Sequence, residues 1–302
     1  MITDRCTIGC STCGRNEGII GDADEDVLGR LCEEISRHSV WRVSLTGGEP
    51  LEHANIAQII HKLKKAPVNV SVNTNGVFVQ RDIDLLAHVD SVCISLDGTE
   101  ATHEGLRGNG TYEAVCRGLE GLRKKRVAKK LVCTIGRSTT KSDVDNVIRI
   151  ARMYDAPVTF QPGRVKILGS HRPNPEAPEQ GEFTRMTRHI MQLKGEYPRF
   201  ITNSRKGLAY LMRWPDPTPI QCSAGRFFCR IDPAGDIYPC SNIIEGVRPI
   251  GNIVRDGIAL PFRGRTMEHC TECWCGLRVE ANLMLALGME PLFNYARLAL
   301  RK

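Results

Sequence analysis

The chain has 302 residues, 41% hydrophobic and 25% charged, with a formal net charge of +7. That size and balance allow one large domain plus a small one around a real core, and exclude a disordered or collagen-like chain. No apolar run is long enough to span a bilayer, no signal-peptide pattern opens the chain, and no basic stripe is interleaved with aromatics. Neither a membrane nor a nucleic-acid partner is therefore expected, and the expected location is the cytoplasm.

In chain order the first feature is a cysteine triplet, Cys6, Cys10 and Cys13, spaced C-x3-C-x2-C. Thiolates so close in sequence can converge on one metal centre. Three ligands leave one iron of a four-iron cluster open to a substrate or cofactor. Buried small hydrophobes or half of a zinc knuckle are the alternatives. Only five residues precede Cys6, so a strand there has almost no room.

A helix is predicted at 25–38, its apolar residues Val27, Leu28, Leu31 and Ile35 recurring at three and four. A strand at 40–45 runs into Gly47-Gly48-Glu49-Pro50. After a helix at 54–65, a strand at 68–72 leads to Asn73-Thr74-Asn75-Gly76. A helix at 80–88 precedes a strand at 91–96, which leads to Asp97-Gly98. Helices at 112–125 and 142–153 alternate with strands at 130–135 and 157–161. This alternation implies a parallel sheet, in which functional groups collect on loops at the strand C-terminal ends. The cysteine loop and the polar clusters at 46–50, 73–76 and 95–98 all fall there and point to one shared site.

Residues 170–181 read as a loop and 182–195 as a helix. The proline-rich stretch 213–219 marks a boundary, and the tail at 277–300 reads as a packed helix pair. Of the thirteen cysteines, six gather at 222, 229, 240, 270, 273 and 275. A reducing compartment argues against disulfides, and clustering at short spacing favours metal ligation. Cys32, Cys93, Cys116 and Cys133 lie in apolar patterns and are expected in the core. The basic run at 123–130 suits a solvated helix C-terminus.

With these residues in hand, the sequence resembles the radical S-adenosylmethionine (SAM) superfamily over nearly its whole length. C-x3-C-x2-C followed by GGEP about 35 residues later is a specific combination. The resemblance implies that Cys6, Cys10 and Cys13 bind a 4Fe–4S cluster whose fourth iron is chelated by SAM. It implies reductive cleavage of SAM to a 5′-deoxyadenosyl radical that abstracts a substrate hydrogen atom. Gly47, Gly48 and Glu49 are then expected near the methionyl amine. Asn75, Ser95, Asp97 and Thr134 are expected to contact SAM, and Arg107 to clamp a carboxylate of SAM or of the substrate. Thr12 stands where the family often has an aromatic residue, so adenine packing must come from elsewhere.

The second cysteine group resembles the auxiliary-cluster module called SPASM, or its shortened form, twitch. The resemblance implies one auxiliary 4Fe–4S cluster on Cys222, Cys240, Cys270 and Cys273, with Cys275 as an alternative to Cys273. Cys229 is left as a core residue, a distal ligand or a hydrogen donor, and tetrahedral zinc suits the same spacing. The implied fold is α/β: a partial (β/α)6 TIM-like barrel over 1–205 and a small cysteine-rich SPASM/twitch-like domain over 215–302. The expected activity is oxidation or rearrangement of a small molecule, with a flavodoxin- or ferredoxin-type electron donor. Maturation of a ribosomal peptide or protein is the alternative, and a non-enzymatic iron–sulfur or zinc protein a further one.

Overall fold

The computed structural model describes residues 1–14, 21–167, 172–216, 220–240, 248–258, 273–286 and 289–299. Five parallel strands form one sheet in sequential order: β1 Arg42–Leu45, β2 Asn69–Thr74, β3 Ser91–Ser95, β4 Lys129–Ile135 and β5 Val158–Pro162. Helices α1 Glu25–Arg37, α2 Ile56–Leu63, α3 Ile83–Leu86, α4 Glu100–Arg107, α5 Thr111–Lys124, α6 Lys141–Met153 and α7 Gln180–Glu196 precede, connect and follow the strands. The parallel sheet is the one expected from the alternation, and its arrangement is the partial TIM-like barrel that the resemblance implied.

Local chemistry sets the helix starts. Asp24 caps α1 by accepting from the Val27 amide at 2.8 Å, and Thr140 and Asp143 form a reciprocal capping box on α6. Strand side chains alternate. Val70, Val72, Val92, Ile94, Leu131, Cys133, Ile135, Val158 and Phe160 are fully buried. Each large apolar side chain buried this way contributes about 1.5–3 kcal/mol. The opposite, concave face carries Ser44, Asn69, Asn73, Ser91, Ser95, Lys130, Thr134 and Gln161, all with some exposure. The barrel interior is thus a polar, accessible surface.

The first strand of a six-stranded barrel is reduced to isolated bridges at Thr3, parallel to Gly47 on one side and antiparallel to Asp22 on the other. Five backbone bonds hold it: Ile2 N to Thr46 O at 2.9 Å, Gly48 N to Thr3 O at 2.9 Å and Glu49 N to Arg5 O at 2.7 Å on one side, and Asp4 N to Gly21 O at 3.1 Å and Ala23 N to Ile2 O at 2.8 Å on the other. At the far edge Ile201 adds a similar single parallel bridge to Val158.

After α8 (Arg205–Leu211) comes a small antiparallel sheet of β6 Arg230–Ile231, β7 Asp236–Tyr238 and β8 Gly251–Asn252, with α9 Ile253–Asp256, α10 Gly276–Leu285 and α11 Met289–Ala299. This part reaches both sides of the open barrel. On one side the Ile258 amide donates to Glu34 of α1 at 2.8 Å. On the other, the Gly276 amide donates to Gln161 of β5 at 3.2 Å. A Cβ at Gly276 would sit 2.6 Å from the Phe160 carbonyl oxygen, so only glycine lets α10 start this close to β5. The C-terminal part therefore meets the barrel at both edges of its open side. Among the described residues, no helix is long and apolar enough to cross a membrane.

Candidate functional site

The cysteine loop lies at the C-terminal ends of the strands. Its fixed point is the turn after β1. A Cβ at Gly47 would fall 2.2 Å from Thr3 O, and one at Gly48 2.0 Å from Arg5 O. The two glycines thus let the backbone of the cysteine segment lie directly on the GGEP turn. Thr7 is bonded through its amide (3.0 Å) and hydroxyl (2.7 Å) to Glu52, which holds the loop from outside.

Glu49 is fully buried, and its carboxylate is a staple. Oε1 accepts from Leu51 N at 3.1 Å and Thr74 Oγ1 at 2.8 Å; Oε2 accepts from Asn75 N at 2.7 Å. Burial pushes this carboxyl up to about 7, against the pull of those bonds. Glu49 thereby joins the ends of β1 and β2. Asn75 turns its Nδ2 toward Cys6 Sγ at 3.8 Å, while its Oδ1 accepts from Val77 N at 2.9 Å.

Asp97 is the second hub. It is buried; its Oδ1 accepts from Thr134 N at 2.8 Å and its Oδ2 from Arg107 Nε at 2.6 Å. Its own amide donates to His103 Nδ1 at 3.1 Å, and burial lowers that imidazole to about 4, so it stays neutral. Burial disfavours the Arg107 charge, but Asp97 and Cys10 outweigh it and raise the guanidinium pKa. The two Nη groups of Arg107 hold no hydrogen bond to a described residue, which leaves them available to a carboxylate beside Cys10 and Cys13. Ser95 ends β3 with its side chain partly exposed.

Among the described residues, no three Cys, His, Asp or Glu side chains converge to metal-binding geometry. The three thiols are neighbours on one loop, close enough for Cys10 to act on Cys6 and Cys13 on Cys10. Burial pushes Cys6 up to about 11 and raises Cys10, with Arg107 pulling Cys10 the other way. Three half-buried thiols, with a guanidinium and an amide beside them, are a donor set that fits an iron–sulfur cluster with an open corner.

The second group assembles around Cys273. Burial pushes it up to about 12, reinforced by Cys240, Cys275 and Cys222, so these three thiols lie within electrostatic range of Cys273, short of metal-binding geometry. Their thiol chemistry fits a second metal centre. Asn282 of α10, a buried residue that sequence reasoning missed, ties them: its Oδ1 accepts from Ser223 N at 3.0 Å, and its Nδ2 faces Cys273 Sγ at 3.5 Å. Cys270 lies outside the described residues. Cys229 stands apart from the four; it lines the cleft described below and packs against the core. Gln161, which sequence reasoning weighed as an adenine neighbour and left out of the site, has a linking role. It bridges Thr134 Oγ1 (3.5 Å) and the Gly276 amide (3.2 Å), and so links the strand ends to the C-terminal part.

Between the concave sheet face and the C-terminal part runs a cleft of about 2150 Å³. It reaches the strand ends through Thr46, Gly47, Asn73 and Gln161 and continues down past Arg42 and Lys130, with Cys275 and Arg278 on its far wall. None of the three N-terminal cysteines lines it.

Known proteins bear on this site. Mycofactocin maturase MftC of Mycolicibacterium smegmatis is 26% identical over 275 residues, covering 85% of this chain and 67% of that protein. The MftC of Mycobacterium tuberculosis H37Rv is 27% identical over 269 residues with the same coverage. The solved structure of anSMEcpe with bound AdoMet has a TM-score of 0.71 at 17% identity, covering 87% of this chain and 79% of that one. Streptococcus suis SuiB bound to precursor peptide SuiA has a TM-score of 0.66 at 15% identity, covering 92% and 68%. These structures share the fold. The family model described as the radical SAM superfamily matches residues 1–151. The chain therefore belongs to the radical SAM superfamily, enzymes that use a 4Fe–4S cluster and S-adenosylmethionine.

Proposed function

We propose that this enzyme modifies a peptide, in preference to the small molecule expected from sequence. The observation that carries this reading is the cleft. At about 2150 Å³ it is at least twice the size of a usual small-ligand pocket of about 300–1,000 Å³. Its lining extends from Thr46 and Asn73 at the strand ends to Arg42 and Lys130 on the concave face, and takes in Leu31 and Ile35 of α1. The naming of the MftC relatives as maturases, and of SuiB as bound to a precursor peptide, supports the same substrate class.

Cys6, Cys10 and Cys13 hold the catalytic cluster; when bound, cluster and SAM supply the radical that removes a substrate hydrogen atom. Asp97 positions Arg107 so that its Nη groups meet the methionyl carboxylate. Glu49 fixes the turn whose main chain, at Gly47 and Gly48, lies beside the methionyl amine. Asn75, Ser95 and Thr134 contribute the polar groups on the SAM side at the strand ends, next to the cleft rather than in its lining. Cys222, Cys240 and Cys273, with Cys270 or Cys275, hold an auxiliary cluster against the cleft wall. A flavodoxin- or ferredoxin-type donor supplies the electron. The chain divides into a radical SAM core over 1–205 and a SPASM/twitch-like domain over 215–302.

The test is co-expression under anoxic conditions with short open reading frames flanking the gene, followed by mass spectrometry of each peptide. A SAM-dependent mass change in one peptide supports the reading. Turnover of a small metabolite with every peptide unchanged overturns it.

A further inference from the structure

The cleft carries a charge that the proposed chemistry does not use. Among the described residues lining it, nine are Lys or Arg and four are Asp or Glu. That excess of five positive charges compares with +7 for the whole chain. Two of the cations sit on the concave sheet face. Arg42 of β1 reaches across β2 to Ser91 Oγ at 3.5 Å, and it acts electrostatically on Lys130 of β4. Lys130 is paired in register with Cys93, and its ammonium has neither a hydrogen bond nor an ion pair with a described residue. Arg42 likewise has no carboxylate partner among them. Arg278, on the opposite wall, lies 4.0 Å over the Phe228 ring.

Burial first, and Arg42 after it, disfavour the Lys130 charge, and an anion placed beside the two cations would offset both effects. The sheet geometry says where an anion would sit. Lys130 lies four residues below Thr134 on β4, which is roughly 13 Å at the usual strand rise. An extended peptide covers that distance in about four residues.

We infer that Arg42 and Lys130 form an anion subsite that receives a carboxylate of the peptide substrate, about four residues from the position modified at the strand ends. This deepens the peptide reading and rests on it. The carboxylate comes from an Asp or Glu side chain or from the peptide C-terminus. RNA is the other polyanion with matching charge, but the relatives' peptide chemistry favours the carboxylate.

The experiment measures fluorescence anisotropy on the full, anaerobically reconstituted chain. The probes are three labelled decapeptides of one backbone sequence: Glu-containing with an amidated C-terminus, Gln-substituted and amidated, and Gln-substituted with a free C-terminus. A ten-nucleotide single-stranded RNA is the control. At least one carboxylate-bearing peptide is expected to bind about tenfold tighter than the neutral one, with the advantage shrinking at high salt. Which of the two does so identifies the source. The double variant R42Q/K130Q is expected to lose the advantage with its iron content unchanged, while R42K/K130R retains it. Equal binding of all three peptides overturns the inference and leaves the peptide reading standing. Binding of RNA but of no peptide overturns both. Loss of iron in R42Q/K130Q would assign these cations to the auxiliary cluster instead.

Discussion

Arg107 donates through Nε to Asp97 Oδ2 at 2.6 Å, and this ion pair fastens the end of β3 to the helix that faces Cys10 and Cys13. Because Asp97 also accepts from the Thr134 amide, one carboxylate registers β3, β4 and α4 together. Replacing Asp97 by Asn leaves Arg107 charged, buried and unpaired, at a cost of about 3 kcal/mol. Thermal unfolding should show the loss. Arg107→Gln should weaken SAM binding by about tenfold or more on the reconstituted enzyme, measured by isothermal titration. Unchanged SAM affinity would remove Arg107 from the SAM site.

Gly48→Ala places a methyl group where the Arg5 carbonyl oxygen now stands, 2.0 Å away. The cysteine loop would have to lift off the GGEP turn. Iron content should fall by about half, because the second cysteine group is remote from this contact. A variant with full iron and intact SAM cleavage would contradict the docking described.

Single substitution of Cys6, Cys10 or Cys13 by Ala is expected to abolish SAM cleavage. Cys222→Ala or Cys240→Ala should lose one cluster, while SAM cleavage uncoupled from substrate stays measurable. Iron and sulfide analysis together with 5′-deoxyadenosine assay separates the two classes. Zinc in place of iron at the second group would rule out an auxiliary cluster.

Both cysteine groups predict pH-dependent loading. Thiols bind metal as thiolates, and burial pushes Cys6 up to about 11 and Cys273 up to about 12 in the metal-free chain. Each thiol gives up a proton as metal enters, so apparent iron affinity should rise steadily from about pH 6.5 to 8.5. Titration in weakly buffered solution should show acid release. Loading that is flat with pH would contradict the buried thiol environment.

Glu280 of α10 offers a test of sign. Its Oε1 accepts from the Ser204 amide at 2.8 Å and the Ser204 hydroxyl at 3.2 Å, while Oε2 is buried without a hydrogen-bond partner among the described residues. Burial pushes the folded-state carboxyl up to about 7. Its folded pKa lies above the ordinary carboxylate value, so stability falls as pH rises from about 4.5 to 7 and the full cost is carried above that. Glu280→Gln should therefore stabilise the protein by about 2 kcal/mol at pH 8, and by nearly nothing at pH 4.5. Chemical denaturation at the two pH values decides. Glu49 carries a cost of the same sign in both proteins, so the difference between them isolates Glu280.

Much of the architecture was legible because it depends on periodic burial. Val70, Val72, Val92, Ile94, Leu131 and Cys133 alternate toward the helices, and the strand at 91–96 is found at Ser91–Ser95. The cysteine loop and the loops at Glu49, Asn75 and Asp97 were legible from motif spacing, and the structure gathers them at one end of the sheet. What the motifs hid was how the polar atoms are divided. Glu49 spends its carboxylate on Leu51, Thr74 and Asn75, and Asp97 spends its own on Thr134 and Arg107. Asn282 carried no local signal, and nothing local gave Gln161 its tie to Gly276, because these partners lie 59 and 115 positions away in the chain. That the C-terminal part meets the barrel at both edges was illegible for the same reason. It depends on Glu34 meeting Ile258 across 224 positions.

With only isolated bridges from Thr3 to Gly47 and to Asp22, the segment bearing the three thiols has no strand ladder of its own and borrows its anchorage from the main chain at 46–49 and 21–23. The Gly48 and Glu49 amides are consequently gauges of whether that segment is seated. Their deuterium uptake is slow while Thr3 and Arg5 cap them, and it quickens in concert when the segment lets go.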